Sequence, residues 1–239
     1  MITPCGKIYL LGGEEPELVT RDDVYMYDTC TASGSLTLRS PMLQKKYDFT
    51  CCVLDGFIYV ISGRDTSAEI VDRCERYEYS KDKWSSIASV KRKRYAASSA
   101  SMSGHKKIYL FGGRTESNNN MLEDIEEYDV TNDIWKLVVL KDPSVWVPVE
   151  VSAMIQVEED KLLIFGGSDS RVKDCPNSYT FNVTDYSLER TDDLKRAQVF
   201  VAAPVCYGRK VYAVGNEYYV KNRSLNRFHI DNREWTIIF

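Results

Sequence analysis

One segment type returns five times along the chain and constrains it more than any other feature. It consists of a small or cationic residue, a run of four aliphatic or aromatic residues, and then glycine. It reads Gly-Lys-Ile-Tyr-Leu-Leu-Gly-Gly over Gly6–Gly13 and recurs at Gly56–Gly63, Lys107–Gly113, Lys161–Gly167 and Lys210–Gly215. The closing glycines stand at 13, 63, 113, 167 and 215, steps of 50, 50, 54 and 48. An aromatic residue follows each glycine by 13 to 15 positions, at Tyr27, Tyr77, Tyr128, Phe181 and Phe228. In four cases a large apolar residue lies seven further on, giving the pairs Tyr77/Trp84, Tyr128/Trp135, Phe181/Leu188 and Phe228/Trp235. Turn formers such as Ser80-Lys-Asp-Lys83 separate the members of each pair. Two landmarks in fixed order at a period near 50 mean a unit that stacks on copies of itself to bury its faces.

The residue types fix what each unit is. The segments are short, rich in Ile, Val, Tyr and Phe, and bounded by turns, which is the signature of strands. A further apolar run precedes four of the glycine segments, at 49–54, 96–102, 149–157 and 200–206. Each unit therefore offers four strands: the apolar run (A), the glycine-ended strand (B), the aromatic-bearing strand (C) and the Trp-bearing strand (D). A four-stranded antiparallel sheet of this size is one blade of a propeller. Gly-Gly ends strand B because the backbone there needs positive φ or a close neighbour. The units fall at about 1–42, 43–90, 91–141, 142–194 and 195–239 of one domain, and the first lacks its A strand.

Gly-Gly, the Tyr/Trp pair and the 50-residue period resemble kelch repeats, and the resemblance covers nearly the whole chain. It implies an all-β, kelch-type β-propeller. WD40 repeats, the rival, have a shorter period of about 40–45 and Trp-Asp signatures. The departures fall at packing positions. The first unit has a longer C–D turn and Leu36 in place of Trp, the second has Ser62-Gly63, the fourth has Phe181 and Leu188, and the fifth has Val214-Gly215. Five B, C and D strands but four A strands leave ring closure open. Kelch rings commonly have six or seven blades, and the favoured expectation is a longer parent with the missing sequence upstream, part of a six-bladed ring. The alternative is a five-unit ring with one incomplete blade.

Composition removes several classes. Sixteen Tyr, eight Phe and four Trp argue against disorder. The longest apolar runs are far short of a membrane span. A net charge of −4 argues against bulk nucleic-acid binding. Seven cysteines, an odd number with no Cys-x-x-Cys, and an N-terminus without a secretory pattern read as reduced thiols in a cytoplasmic protein. The glycosylation patterns at Asn182 and Asn222 then read as chance.

Function is expected on loops. Antiparallel connectivity puts A–B and C–D turns on one rim and B–C and D–A loops on the other, and the kelch resemblance implies partner binding at the second. The D–A loops carry Lys45-Lys46, Lys91-Arg92-Lys93-Arg94 and Lys195-Arg196, and the nearby B–C loops open with Arg64 and Arg114. Such a basic mouth suits an acidic or phosphorylated peptide. A merely solvated face, or nucleic-acid contact, are the alternatives for Lys91–Arg94. The third D–A loop holds Trp146, either an exposed anchor or local packing, and the first B–C loop is acidic at Glu14, Glu15 and Glu17. The chosen contact set is Arg64, Arg114, Lys45, Lys46, Lys91, Arg92, Arg94 and Trp146, for a protein or peptide partner and with no cofactor. Catalysis finds little support. His105 and His229 are the only histidines and fall in different parts of the repeat, and Cys51-Cys52 read as strand filler. The expectation is a non-enzymatic scaffold. A carbohydrate-processing enzyme with paired axial carboxylates is the alternative.

Overall fold

The computed structural model describes residues 1–239 apart from 2, 4, 5, 31–33, 35, 116–120, 172, 201, 202, 218 and 219. The described residues form five antiparallel sheets, each a simple meander. Blade 1 has three strands, β1 (Lys7–Glu14), β2 (Thr20–Asp28) and β3 (Leu36–Arg39). Blade 2 has β4 (Thr50–Leu54), β5 (Phe57–Ile61), β6 (Cys74–Glu78) and β7 (Lys83–Ile87). Blade 3 has β8 (Ser98–Met102), β9 (Lys107–Phe111), β10 (Ile125–Asp129) and β11 (Ile134–Val138). Blade 4 has β12 (Ala153–Gln156), β13 (Lys161–Phe165), β14 (Ser178–Asn182) and β15 (Leu188–Arg190). Blade 5 has β16 (Val205–Tyr207), β17 (Lys210–Glu217), β18 (Val220–His229) and β19 (Glu234–Ile237). The A strands β4, β8, β12 and β16 lie side by side around the axis, so this is a five-bladed propeller arrangement. Among the described residues blade 1 has no A strand, but the main chain of Met1 and Thr3 bonds to Tyr9 and Lys7 of β1.

The landmark residues build the interfaces between blades. Tyr77 and Trp84, Tyr128 and Trp135, Phe181 and Leu188, and Phe228 and Trp235 are direct cross-strand partners, all buried. Each indole N–H reaches the preceding blade: Trp84 to Ser40 O at 2.9 Å, Trp135 to Ala88 O at 3.0 Å, Trp235 to Ser178 Oγ at 3.1 Å. The turn aspartates complete the joint. Asp82 accepts from Tyr77 OH and from Ser40 N of blade 1, and Asp133 accepts from Tyr128 OH and Ala88 N. Turn residues that read as punctuation in the sequence thus also tie neighbouring blades. The four hydrophobic clusters coincide with the four blade-to-blade interfaces.

Glycine does its work where one blade receives the loop of the next. Gly113 has φ of 86°, its N–H donates to Val149 O at 3.0 Å, and a Cβ there would stand 2.6 Å from Tyr95 O. A backbone belt then circles the axis. Ala96 N–H donates to Asp48 O, Val151 N–H to Ala96 O, and Phe200 N–H to Val151 O, each at 2.9 Å. Cys52 is buried and Cys51 half-buried, and burial raises both thiol pKa values. They pack as filler in β4, while Cys5 lies outside the described residues.

Candidate functional site: the B–C and D–A rim

The rim cations divide into those that hold the propeller together and those that face outward. Lys46 is buried, with Nζ donating to Arg73 O at 2.8 Å and standing 3.3 Å from Glu75 Oε1. Arg94 is fully buried. Its Nη2 donates to Glu126 Oε1 at 2.6 Å and Asp124 Oδ1 at 2.8 Å, and Nη1 donates to Gly112 O at 3.0 Å. Arg114 is buried in an ion pair with Glu150 of the next D–A loop, Nη2 to Oε1 at 2.6 Å. Trp146 is buried, edge-on to Phe111 and Tyr179 with ring centroids 5.9 and 5.5 Å away. The side chains of Lys46, Arg94 and Arg114, expected on the rim surface, point inward instead, and of the two alternatives for Trp146 the structure gives local packing.

The cause is the path of the D–A loop. It crosses a blade edge, and its N–H groups lose water there and need acceptors. Glu126 accepts from Lys91 N at 2.7 Å and Arg92 N at 3.0 Å, and Glu75 accepts from Leu43 N at 2.7 Å. A buried carboxylate requires a cation beside it, and Arg94 and Lys46 supply one. In blade 5 the same places hold amides, and Asn226 Nδ2 donates to Gln198 Oε1 at 2.8 Å. The sequence does carry a signal of this. Glu75 and Glu126 stand two residues before Tyr77 and Tyr128, on the same strand face as those buried rings.

The outward set is Lys45, Lys91 and Arg92, with Arg64 half-buried. Arg92 Nε also lies 3.0 Å from Asp124 Oδ2. The Arg64 guanidinium stacks on the Tyr95 ring, 3.6 Å from its centroid. Tyr95 is the counterpart of Glu150, so Arg64 stacks on a ring where Arg114 meets a carboxylate. Among the described residues no carboxylate is within ion-pair distance of Arg64. Asp48, whose carboxyl feels the charge of Arg64, lines an axial cavity of about 570 Å³ together with Thr50, Ser99, Ser152, Met154 and Phe200 among others. Thr50 and Ser99 share a hydroxyl hydrogen bond of 2.8 Å across it. Burial raises the Asp48 carboxyl pKa, opposed by the charge of Arg64. Asp48 and Tyr95, both interacting with Arg64, lie outside the expected contact set. Asp48 is the one acidic side chain among the described residues lining this cavity, so the paired carboxylates of a sugar-processing site do not converge there. A second rim cavity of about 560 Å³ lies between blades 3 and 4, beside Glu123, Asp169 and Arg171. Among the described residues no group of three metal-ligating side chains converges, and no helix is long and apolar enough to cross a membrane.

Comparison with known proteins agrees with a kelch-repeat fold. The KLHDC2/KLHL20/DRC7 Kelch-repeats domain matches residues 48–238. This chain belongs to the kelch-repeat family. An F-box/kelch-repeat protein of Arabidopsis thaliana is 32% identical over 124 residues, 49% of this chain and 32% of its own length. Kelch-like protein 25 of Xenopus tropicalis is 23% identical over 220 residues, 89% of this chain and 35% of the relative. Alpha-scruin of Limulus polyphemus is 27% identical over 175 residues, 68% of this chain and 18% of the relative. The chain spans about a third or less of the length of these relatives.

Proposed function

We propose that this kelch propeller is a protein-docking scaffold that holds a peptide segment of a partner over the B–C and D–A rim, with the axial cavity taking one of its side chains. One observation carries the reading. Arg64 is held in place by its stacking on Tyr95, has no carboxylate within ion-pair distance among the described residues, and is near enough for its charge to act on Asp48, which lines a 570 Å³ cavity. A stacked guanidinium has lost part of its rotamer freedom before a ligand arrives, which lowers the entropy cost of a bidentate bond to a carboxylate or phosphate. Lys45, Lys91 and Arg92 add positive potential around it, which favours an acidic segment. Kelch-family membership supports a scaffold role, and a cytoplasmic setting fits the unpaired cysteines.

The test is binding of Asp/Glu-rich and phosphorylated peptide libraries to the full chain and to two charge-reversed forms. Arg64→Glu with Lys91→Glu should abolish selection of acidic sequences. Lys106→Glu on the opposite rim should leave it unchanged, and affinity of the parent should fall as salt rises. Selection that survives the rim reversal would overturn the assignment.

A further inference from the structure

The middle residues of strands B, C and D form a row on the side of each blade that faces the next one. Between blades 3 and 4 the row is Tyr109, Glu127 and Lys136, in direct cross-strand register. Glu127 is buried and accepts from Tyr109 OH at 2.7 Å and, from the C–D turn of blade 4, from Tyr186 OH at 2.9 Å. Lys107 and Lys136 Nζ stand 2.6 and 3.0 Å from it. Between blades 4 and 5 the turn residue is Arg233, which donates to Thr180 Oγ1 at 2.8 Å and to Glu189 Oε2 at 3.1 Å. Donors meet acceptors in both joints. Between blades 2 and 3 the row is Tyr59, Arg76 and Ser85, and it is unfinished. The Arg76 guanidinium lies over the Phe57 ring, 4.7 Å from its centroid, and Nε donates to Ser85 Oγ at 3.4 Å. The turn residue here is Asp133, but its Oδ1 already accepts from Tyr128 OH and Ala88 N–H. Among the described residues no carboxylate is within ion-pair distance of Arg76. Tyr59 OH, beside Arg76, is buried and has no hydrogen-bond partner among them. A buried hydroxyl without a partner calls for an explanation, and here it adjoins a guanidinium that also lacks its acceptor.

We propose that the joint between blades 2 and 3 is a binding subsite for one carboxylate, the side chain of an Asp or Glu of a partner protein. Arg76 and Ser85 receive it, and Tyr59 OH donates to it as the long Arg76 side chain gives way. Ser85 is exposed and Arg76 and Phe57 are half-buried, so the ligand enters at the outer edge of the joint. Stacking on Phe57 restrains the guanidinium and leaves its N–H edge free to bond. One joint further on, Glu127 shows a carboxylate accepting from the equivalent phenol, Tyr109. The negative charges nearby set the class of ligand. Asp55 acts on Tyr59, and Glu78, itself tied to Lys81, feels the charge of Arg76. A second negative charge on the ligand is repelled there. The subsite therefore takes a monoanion rather than a phosphate or an acidic run, and it does not depend on the rim.

The experiment titrates the 239-residue chain with sodium acetate and with the end-blocked tripeptide acetyl-Ala-Glu-Ala-amide, at constant ionic strength against sodium chloride. The Nε–H resonance of Arg76, assigned by its loss in Arg76→Gln, and the Ser85 amide are followed by NMR. Both carboxylates should shift them saturably and chloride should not. Arg64→Glu should leave these shifts unchanged, which separates this subsite from the rim. Read from the Ser85 amide, Arg76→Gln should weaken tripeptide binding about tenfold or more and Tyr59→Phe about threefold. Tyr59→Phe should keep the parental unfolding midpoint, because that hydroxyl has no bond to lose, whereas Tyr109→Phe should lower it. No saturable shift in the folded chain overturns the proposal. So does a shift with acetate but not with the tripeptide, which would assign the joint to small free acids. A Tyr59→Phe midpoint as low as that of Tyr109→Phe also overturns it, by showing that the phenol already has its acceptor.

Discussion

Arg94 and Glu126 decide whether the basic D–A loop is structural or a contact surface. Replace Glu126 with Ala and the structure predicts three simultaneous losses. The N–H groups of Lys91 and Arg92 lose their acceptor, and the buried guanidinium of Arg94 keeps only Asp124 as an anionic partner. Removing one member of a buried ion pair typically costs about 3–5 kcal/mol, and stranded donors push the loss toward the upper end. In a chain of this size that corresponds to a melting temperature lower by roughly 6–20 °C. Arg94→Met should cost a similar amount, because it leaves Glu126 buried with only backbone partners. Glu126→Gln keeps acceptor capacity but not charge and should cost less than either. The double variant Arg94→Met with Glu126→Gln should cost less than the sum of the singles, with a coupling of about 1–3 kcal/mol. Urea unfolding followed by tryptophan fluorescence reads all four. If Arg94→Met unfolds at the parental midpoint and loses peptide selection, the side chain is a surface contact and the packing argument fails.

Three further outcomes follow from other joints. Burial works to raise the Glu127 pKa, but hydrogen bonds from Lys107, Tyr109, Lys136 and Tyr186 outweigh it and lower it, while burial and Glu127 raise that of Tyr109. A depressed carboxylate stabilises above its unfolded pKa and a raised phenol stabilises below its own. Stability should therefore fall below pH about 4.3 and above pH about 10, and Glu127→Gln should flatten the acid limb of a pH–melting curve. Gly113→Ala meets Tyr95 O, whereas Gly13→Ala, at φ of 100°, has nothing within 4 Å. The first should cost roughly 1–3 kcal/mol more than the second by denaturant titration. Trp135→Phe removes the bond to Ala88 O and should cost about 1–3 kcal/mol, a cavity and a stranded carbonyl together. An unchanged melting temperature would refute the role of that bond in joining blades 2 and 3.

What was legible in the sequence was whatever repeats. The glycine segments and the Tyr/Trp pairs gave the strands, the blade and the register, because each is dictated by a local requirement met again in every unit. Tyr77 opposite Trp84 and Tyr128 opposite Trp135 are the same solution written twice. The rim was legible only in outline. Lys46, Arg94 and Arg114 share a residue type with Lys45, Lys91 and Arg64, and nothing local to each cation separates the buried from the exposed. The separating residues are far along the chain: Glu75 lies 29 positions after Lys46, and Glu150 lies 36 after Arg114. A loop charge is therefore assigned only after its blade has been checked for a buried carboxylate.

The same logic explains why Arg64 emerges from the set. Arg64 and Arg114 open equivalent B–C loops, and both reach toward the next D–A loop, which meets one with Tyr95 and the other with Glu150. Glutamate neutralises the guanidinium and buries it. Tyrosine holds it by its face and leaves the bidentate edge unspent. A single exchange at one repeat position thus turns an interblade tie into a candidate ligand contact. Tyr95→Glu should reverse that exchange, drawing Arg64 into an ion pair like that of Arg114. It should weaken acidic-peptide binding about as much as Arg64→Ala, while leaving the unfolding midpoint at or above that of the parent. A midpoint well below the parent's would mean that the ring serves packing first, and that Arg64 is free only because the tyrosine cannot be spared.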